Sequence, residues 1–249
     1  MGMKVQENFT VQSYETDAFN TLKPFYLQNH LQEIAYKGSE AYGISYFQLR
    51  PKNLFWAIDR IHLKINELPR WREEVCLQTW SRGKNGPLWL RNYRMFRPGK
   101  EESPLMLGTS VWTVLNLGSR AISSDDLGVK ESDHVPEDTL GTCRKIVFPK
   151  GTEFKPVLSH RVSYSELDSN MHANNCFYTQ WAMDALDSGF LMENSLTDLQ
   201  LSYHRELRNG QDVQLLLGEE GAAGRFIKGM ADGELCFSAA MQFIPKPKR

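Results

Sequence analysis

Two stretches of this chain can be laid over each other without a gap: Ile61 to Leu77, IHLKINELPRWREEVCL, and Leu199 to Leu215, LQLSYHRELRNGQDVQL. Both read as an alternating strand, a turn and a second alternating strand. Such a self-match constrains the fold more than any local propensity, because it says that one supersecondary unit is built twice. Upstream of each copy lies a segment of helical period. His30 to Gly43 puts Leu31, Ile34, Ala35 and Tyr42 near one face, and Cys176 to Gly189 does the same with Phe177, Trp181, Ala185 and Leu186. Each half is therefore expected to be a helix followed by strands.

The strands show the period-2 pattern of a sheet with one buried face. Val75, Leu77 and Thr79 alternate with Cys76, Gln78 and Trp80, and GKNG at Gly83 to Gly86 predicts an Asn-Gly hairpin turn before a strand at Leu88 to Phe96. Thr109 to Leu117 and Leu235 to Ile244 are further β-rich runs. Between Gly118 and Arg144, Ser, Asp, Glu, Gly and Pro accumulate and apolar periodicity fades, which marks the junction of the halves. The expectation is an α+β chain with an internal duplication: residues 1–145, including a linker at about 118–145, and residues 146–249.

Composition excludes several classes. The 249 residues suit about one to two domains at roughly 150 residues each. Lys and Arg number 29 against 30 Asp and Glu, a net charge of -1, so a protein built to coat nucleic acid is not expected. No run approaches the roughly 18 apolar residues of a membrane span, and no membrane partner is expected. The start MGMKVQENFT lacks a signal peptide's apolar core and a transit peptide's Arg- and Ser-rich character, and Gln6 stands where myristoylation wants Ser or Thr. Cys76, Cys143, Cys176 and Cys236 lie far apart with no CxxC pair, which disfavours a zinc site and a disulfide framework and favours a reduced, cytoplasmic setting. The tail KPKR reads as a frayed basic end.

Chemistry concentrates in Ser163 to Tyr178, SYSELDSNMHANNCFY. Asp168, Asn170 and His172 are spaced by two, so extended backbone would project an acid, an amide and an imidazole onto one face. Asn174 and Asn175 stand where a helix N-cap belongs, and the free N–H groups of a helix start suit negative charge developing on a carbonyl oxygen. Turn and capping preferences alone also favour Asp, Asn and His before a helix. Glu206, in YHRELRNG, is placed by the alternation on the strand of the second repeat between Arg205 and Arg208, where a salt-bridged surface Glu is the ordinary alternative.

Taken together, NLFWAIDRIHLKINELPRWREEVCLQTW, SRGKNG, SVWTVLNL, SELDSNMHANNCFYTQW and LSYHREL resemble the acyl-acyl carrier protein thioesterases of plant plastids and bacteria, in the family's order and from about Phe25 to Ile244. The resemblance implies a double hotdog, two tandem repeats each with an antiparallel sheet wrapped around a long helix. It implies hydrolysis of fatty acyl thioesters with acyl carrier protein as partner, no cofactor and no metal. By position, the implied catalytic set is Asp168, Asn170, His172 and Glu206. Leu207 stands where plant members carry a cysteine, so a Cys-His-Asn mechanism is not available there. Cys176 is expected to be a buried small hydrophobe. Glu206 is favoured as general base, while Asp168 either assists through His172 and Asn170 or attacks the carbonyl itself.

The resemblance also implies that the first repeat lines the acyl pocket, with the Leu31 to Tyr42 helix, Trp56, Trp80 and Trp112 as candidates that core packing explains equally well. Acyl carrier protein is acidic, so a basic patch is expected from among Arg70, Arg72, Arg82, Lys84, Arg205 and Arg208. Competing readings are a hotdog acyl-CoA thioesterase, a hotdog dehydratase, against which the D-x-N-x-H-x-N-N run argues, and a non-catalytic acyl-thioester-binding regulator. A homodimer through an exposed strand or helix stays open.

Overall fold

The computed structural model describes Gly2–Pro247; Lys248 and Arg249 of the basic tail lie outside the described residues. The chain divides into two compact units, Met1–Cys143 and Arg144–Arg249.

In the first unit, β1 (Val5–Thr10) precedes helix α1 (Pro24–Ala41) and the short α2 (Tyr46–Leu49). Then come β2 (Leu54–Ile65), β3 (Glu74–Asn85), β4 (Leu88–Phe96) and β5 (Met106–Asn116). They form an antiparallel sheet in the order β1-β3-β4-β5-β2. Helix α1 begins before the expected His30 because Pro24 occupies its first turn, where a fixed φ and a missing N–H cost nothing. Leu27, Leu31, Ile34 and Ala35 bury one stripe of it, whereas Tyr42 is its C-cap and is only half-buried. The hairpin between β3 and β4 turns at Gly86 and Pro87 rather than at Asn85 and Gly86. Asn85 still pairs with Leu88, and Gly86 supplies the positive φ of 58°.

Residues 118–143 carry no strand among the described residues, yet they are anchored along the first sheet. Val135 N–H donates to the Ser81 carbonyl (2.9 Å). Trp80 Nε1 and Asn92 Nδ2 both donate to the Glu137 carbonyl (2.9 and 3.0 Å), and Thr139 Oγ1 donates to the Gly108 carbonyl (2.9 Å). Arg82 binds Asp138 and the Gly141 carbonyl, and Arg60 Nε donates to the Cys143 carbonyl (2.7 Å). Sheet side chains thus satisfy a backbone that has no ladder of its own.

The second unit repeats the plan. Strand β6 (Lys155–Arg161) precedes α3 (Asn175–Asp184) and α4 (Ser188–Glu193), followed by β7 (Asn194–Tyr203), β8 (Asp212–Glu220), β9 (Gly224–Ala231) and β10 (Glu234–Pro245). The antiparallel order is β7-β10-β9-β8-β6. The single long helix expected here is broken. The Asp187 side chain accepts from Phe190 N–H (2.9 Å) and caps a new helix, the usual competition of a short acid with helix continuation. Trp181, Ala185 and Leu186 are buried as the period predicts, but Phe177 is only half-buried and Cys176, Tyr178, Thr179 and Ala182 complete the buried face. Trp181 and Tyr178 pack on Phe237 of β10. Room for the Phe237 ring exists only because residue 229 is Gly, since a Cβ there would lie 1.9 Å from it. Each unit is a sheet with a helix laid against it, and the chain is an α+β double hotdog.

Candidate active site

The site is built in the second unit around a buried carboxylate that the sequence did not reveal. After β6 the chain makes a 3-10 turn at Tyr164–Glu166, and Glu166 is only 7% exposed. Its Oε2 accepts from Ser163 N–H (2.7 Å) and pairs with His160 Nε2 (2.9 Å), while its Oε1 accepts from Trp181 Nε1 (2.9 Å). Its carbonyl accepts from Asn174 N–H (2.8 Å). One residue thereby ties the end of β6, the turn and α3 together. The signal that could have found it is the repeated spacing of Val11, Glu15 and Asp17 with Val162, Glu166 and Asp168.

Between Leu167 and Ala173, which form an isolated bridge, the chain closes a tight loop. Asp168 N–H donates to the His172 carbonyl (2.8 Å), and Asp168 Oδ1 accepts from the N–H groups of Asn170 (2.8 Å) and His172 (3.4 Å). Met171 adopts a φ of 63° and donates its N–H to the Asp168 carbonyl (3.0 Å). The extended backbone expected for Asp168, Asn170 and His172 is therefore not what brings them close. An Asp bonding to the backbone just downstream folds the segment into a turn instead.

A single main-chain bond sets the next neighbour. Ala173 N–H donates to the Leu207 carbonyl (2.8 Å), so the residues just before them, His172 and Glu206, stand side by side. His172 Nε2 lies 3.2 Å from Glu206 Oε2, with the two side chains 13% and 38% exposed. Glu206 is not on a strand. Strand β7 stops at Tyr203 because the N–H groups of His204 and Arg205 both turn to the Cys236 carbonyl (2.8 and 3.0 Å), leaving Glu206 in the turn before β8. Asn170 Oδ1 is buried and meets no donor from the protein, an arrangement that a native fold keeps at a cost and that often marks a site.

Asn174 is the N-cap of α3, its side chain accepting from Cys176 N–H (2.9 Å), and Asn175 is the first helical residue, its carbonyl accepting from the Tyr203 hydroxyl (3.3 Å). Cys176 is fully buried, and desolvation pushes its thiol up to about 12, so it holds no thiolate near neutral pH. Leu207 is also fully buried. A pocket of about 320 Å³ opens beside Glu206, lined by Arg205, Arg208 and Gln211. Arg205 pairs with Glu234, and Arg208 N–H donates to Gln211 Oε1 (2.7 Å).

The other basic candidates belong to the first unit. Arg70 and Arg72 are exposed in the turn between β2 and β3, Lys84 lies over Trp89, and Arg82 is mostly buried and held by Asp138. The three aromatic candidates serve packing there: Trp56 Nε1 donates to the Ile44 carbonyl (2.7 Å), Trp80 Nε1 to Glu137, and Trp112 Nε1 to Ser110 Oγ (2.7 Å).

Residues 2–126 match the family profile of the acyl-ACP thioesterase N-terminal domain, and residues 150–237 match that of the acyl-ACP thioesterase C-terminal domain. The chain belongs to the acyl-ACP thioesterase family. It is 27% identical over 236 residues to a chloroplastic palmitoyl-acyl carrier protein thioesterase of Arabidopsis thaliana, covering 88% of this chain and 56% of that protein. It is 24% identical over 262 residues to the chloroplastic oleoyl-acyl carrier protein thioesterase 1 of the same plant, covering 94% and 70%. The chain thus spans about half the length of the palmitoyl-acyl carrier protein thioesterases it matches. Among solved structures, an acyl-ACP thioesterase from Bacteroides thetaiotaomicron superposes with a TM-score of 0.85 at 20% identity, over 97% of this chain and 98% of that one. The 12:0-ACP thioesterase from Umbellularia californica gives 0.79 at 18% identity, over 99% of both. These two carry the same double fold as this family member.

Proposed function

We propose that this family member hydrolyses fatty acyl thioesters of acyl carrier protein, releasing free fatty acid and holo-carrier and so ending chain elongation. The observation that carries the reading is the His172–Glu206 pair at 3.2 Å, on a loop that also buries an acceptor, Asn170 Oδ1, with no protein donor. A carboxylate at that distance from an imidazole can take a proton from water while the ring orients and shares the charge. Water adds to the thioester carbonyl, the oxyanion is met at the start of α3, where the Asn175 N–H is the donor we assign, and collapse breaks the C–S bond. The proton taken from water returns to the departing pantetheine sulfur.

In this reading Arg205 and Arg208, beside the pocket at Glu206, meet the acidic carrier. In the first unit Arg70, Arg72 and Lys84 are exposed basic candidates, and Arg82 is withdrawn because Asp138 and the Gly141 carbonyl already hold it. A reducing, cytoplasmic compartment fits four free, buried cysteines, and no helix among the described residues is long and apolar enough to cross a membrane.

The test is fatty acid release from acyl-carrier-protein and matched acyl-CoA substrates over several chain lengths, with Asp168→Ala and Glu206→Ala beside the wild type. Preference for the carrier substrate, lost in both variants, is the expected result. Preference for acyl-CoA would reassign the carrier, and tight binding without hydrolysis would make the chain a binding module.

A further inference from the structure

The duplicated chain contains its own control for the site. In the first unit Glu15 Oε2 accepts from Gln12 N–H (2.7 Å), Glu15 Oε1 meets His30 Nε2 (2.9 Å), and its carbonyl accepts from Lys23 N–H (2.9 Å). Asp17 N–H donates to the Thr21 carbonyl (2.8 Å), and Asp17 Oδ1 accepts from the N–H groups of Phe19 (2.8 Å) and Thr21 (2.9 Å). Asn20 takes a φ of 61° and donates to the Asp17 carbonyl (3.0 Å), and Leu22 N–H donates to the Pro69 carbonyl (2.9 Å). Every one of these bonds has its counterpart around Glu166, Asp168, Met171, Ala173 and Leu207, with Trp181 Nε1 on Glu166 Oε1 in the place of His30 on Glu15 Oε1.

The bonds therefore fix a correspondence of positions. Asp17 stands for Asp168, Phe19 for Asn170, Thr21 for His172 and, just before the clamped carbonyl, Leu68 for Glu206. The first unit has exchanged the amide, the imidazole and the second acid for a ring, a hydroxyl and an alkyl group, none of which can act as an acid or base near neutral pH. It has kept the aspartate with the same pair of backbone bonds. What the two copies share is the closed turn, and what separates them is the chemistry.

Resting on the thioesterase reading above, we infer that Asp168 is a positioning residue that closes the turn carrying Asn170 and His172, and that it is not the nucleophile. Asp168 Oδ1 is occupied by the N–H groups of Asn170 and His172, the same bonds that Asp17 Oδ1 makes in the copy without the imidazole and the second acid. Hydrolysis then runs by direct attack of water activated at Glu206 and His172, with no acyl-aspartyl anhydride.

The test compares Asp168→Asn with Asp168→Ala and Glu206→Gln. Asparagine keeps an oxygen able to accept both N–H bonds but cannot form an anhydride. Asp168→Asn, its Asn confirmed by intact mass, is expected to keep kcat within about tenfold of wild type with the same acid limb in its pH profile, whereas Glu206→Gln falls by about 10²- to 10⁴-fold. Hydrogen exchange should show the Asn170 and His172 amides protected in wild type and Asp168→Asn and opened in Asp168→Ala. Asp17→Ala should open the Phe19 and Thr21 amides without loss of turnover. Single turnover in ¹⁸O-water should leave residue 168 unlabelled. An Asp168→Asn protein as inactive as Asp168→Ala while its turn amides stay protected, or label in residue 168, overturns the inference. If the wild type hydrolyses no acyl thioester, the functional reading fails by itself, and the positioning role stands or falls on whether Asp168→Asn keeps the amide protection that Asp168→Ala loses.

Discussion

Replacing Glu166 by Ala tests whether the buried carboxylate holds the catalytic loop. Trp181 is 2% exposed, so its Nε1–H, which now donates to Glu166 Oε1, would be stranded without water, at about 1–3 kcal/mol. Ser163 is exposed, so its N–H recovers a water partner and adds at most about 1 kcal/mol. Together these give about 1–4 kcal/mol, which for a chain of this size is a fall of roughly 2–16 °C in Tm. The matched control is Glu15→Ala, whose ring partner His30 is 26% exposed and can turn to solvent, so about 1 kcal/mol is expected there. Glu166→Gln should recover part of the loss, because one amide oxygen still serves Trp181 while the NH₂ faces the Ser163 N–H. Scanning calorimetry reads all three, and fatty acid release at a temperature where Glu166→Ala stays folded reads the loop, with a larger loss for Glu166→Ala than for Glu15→Ala. A Glu166→Ala protein melting within about 1 °C of wild type, or one less perturbed than Glu15→Ala, would refute the reasoning.

Glu206→Gln should lower kcat/KM by about 10²- to 10⁴-fold with KM little changed, and a loss below about threefold in steady-state kinetics would remove Glu206 from the chemistry. Cys176 should resist iodoacetamide in the native protein at pH 8 and react once unfolded; rapid native modification seen by mass spectrometry contradicts its burial. Because burial raises that thiol from 9.0 to about 12, its neutral form favours the fold below pH 9, and stability is lost as pH rises from 9 towards 12, by up to about 1.4 kcal/mol per pH unit per such thiol. Urea titrations of Cys176→Ala should show a shallower alkaline fall than the wild type. Gly229→Ala would press a methyl into the Phe237 ring and should cost about 1–3 kcal/mol or more in chemical denaturation, with an unchanged midpoint as the contrary result.

Legibility in the sequence followed the range of the interactions involved. Strand β4 was readable to the residue, Leu88–Phe96, because alternation and an adjacent turn are local signals. The start of α1 at Pro24 was not, since FYLQN after it carries no clear apolar stripe of its own, and the break before α4 turned on one Asp187 side chain. The run Asp168, Asn170, His172 marked the right segment, but alternation misjudged its geometry: a side chain bonding to its own backbone overrode the extended form. The catalytic role of Glu206 came from resemblance, and its meeting with His172 depends on a bond between Ala173 and Leu207 that no local pattern announces. Glu166 drew no reading from the sequence, because its partner Trp181 lies fifteen residues away and meets it only in the fold.

The anchoring of residues 118–143 along the first sheet decides where this gene could be cut. A fragment stopped at residue 126, where the match to the N-terminal family profile ends, would strip the Glu137 carbonyl from Trp80 and Asn92, both almost wholly shielded from water, along with Asp138 from Arg82 and the Cys143 carbonyl from Arg60. Stopping at Cys143 keeps all of these bonds. Hybrids that graft the front half of one such protein onto the back half of another should therefore carry the whole segment with its front half, since its backbone oxygens and the Asp138 carboxylate are fixed to side chains far upstream.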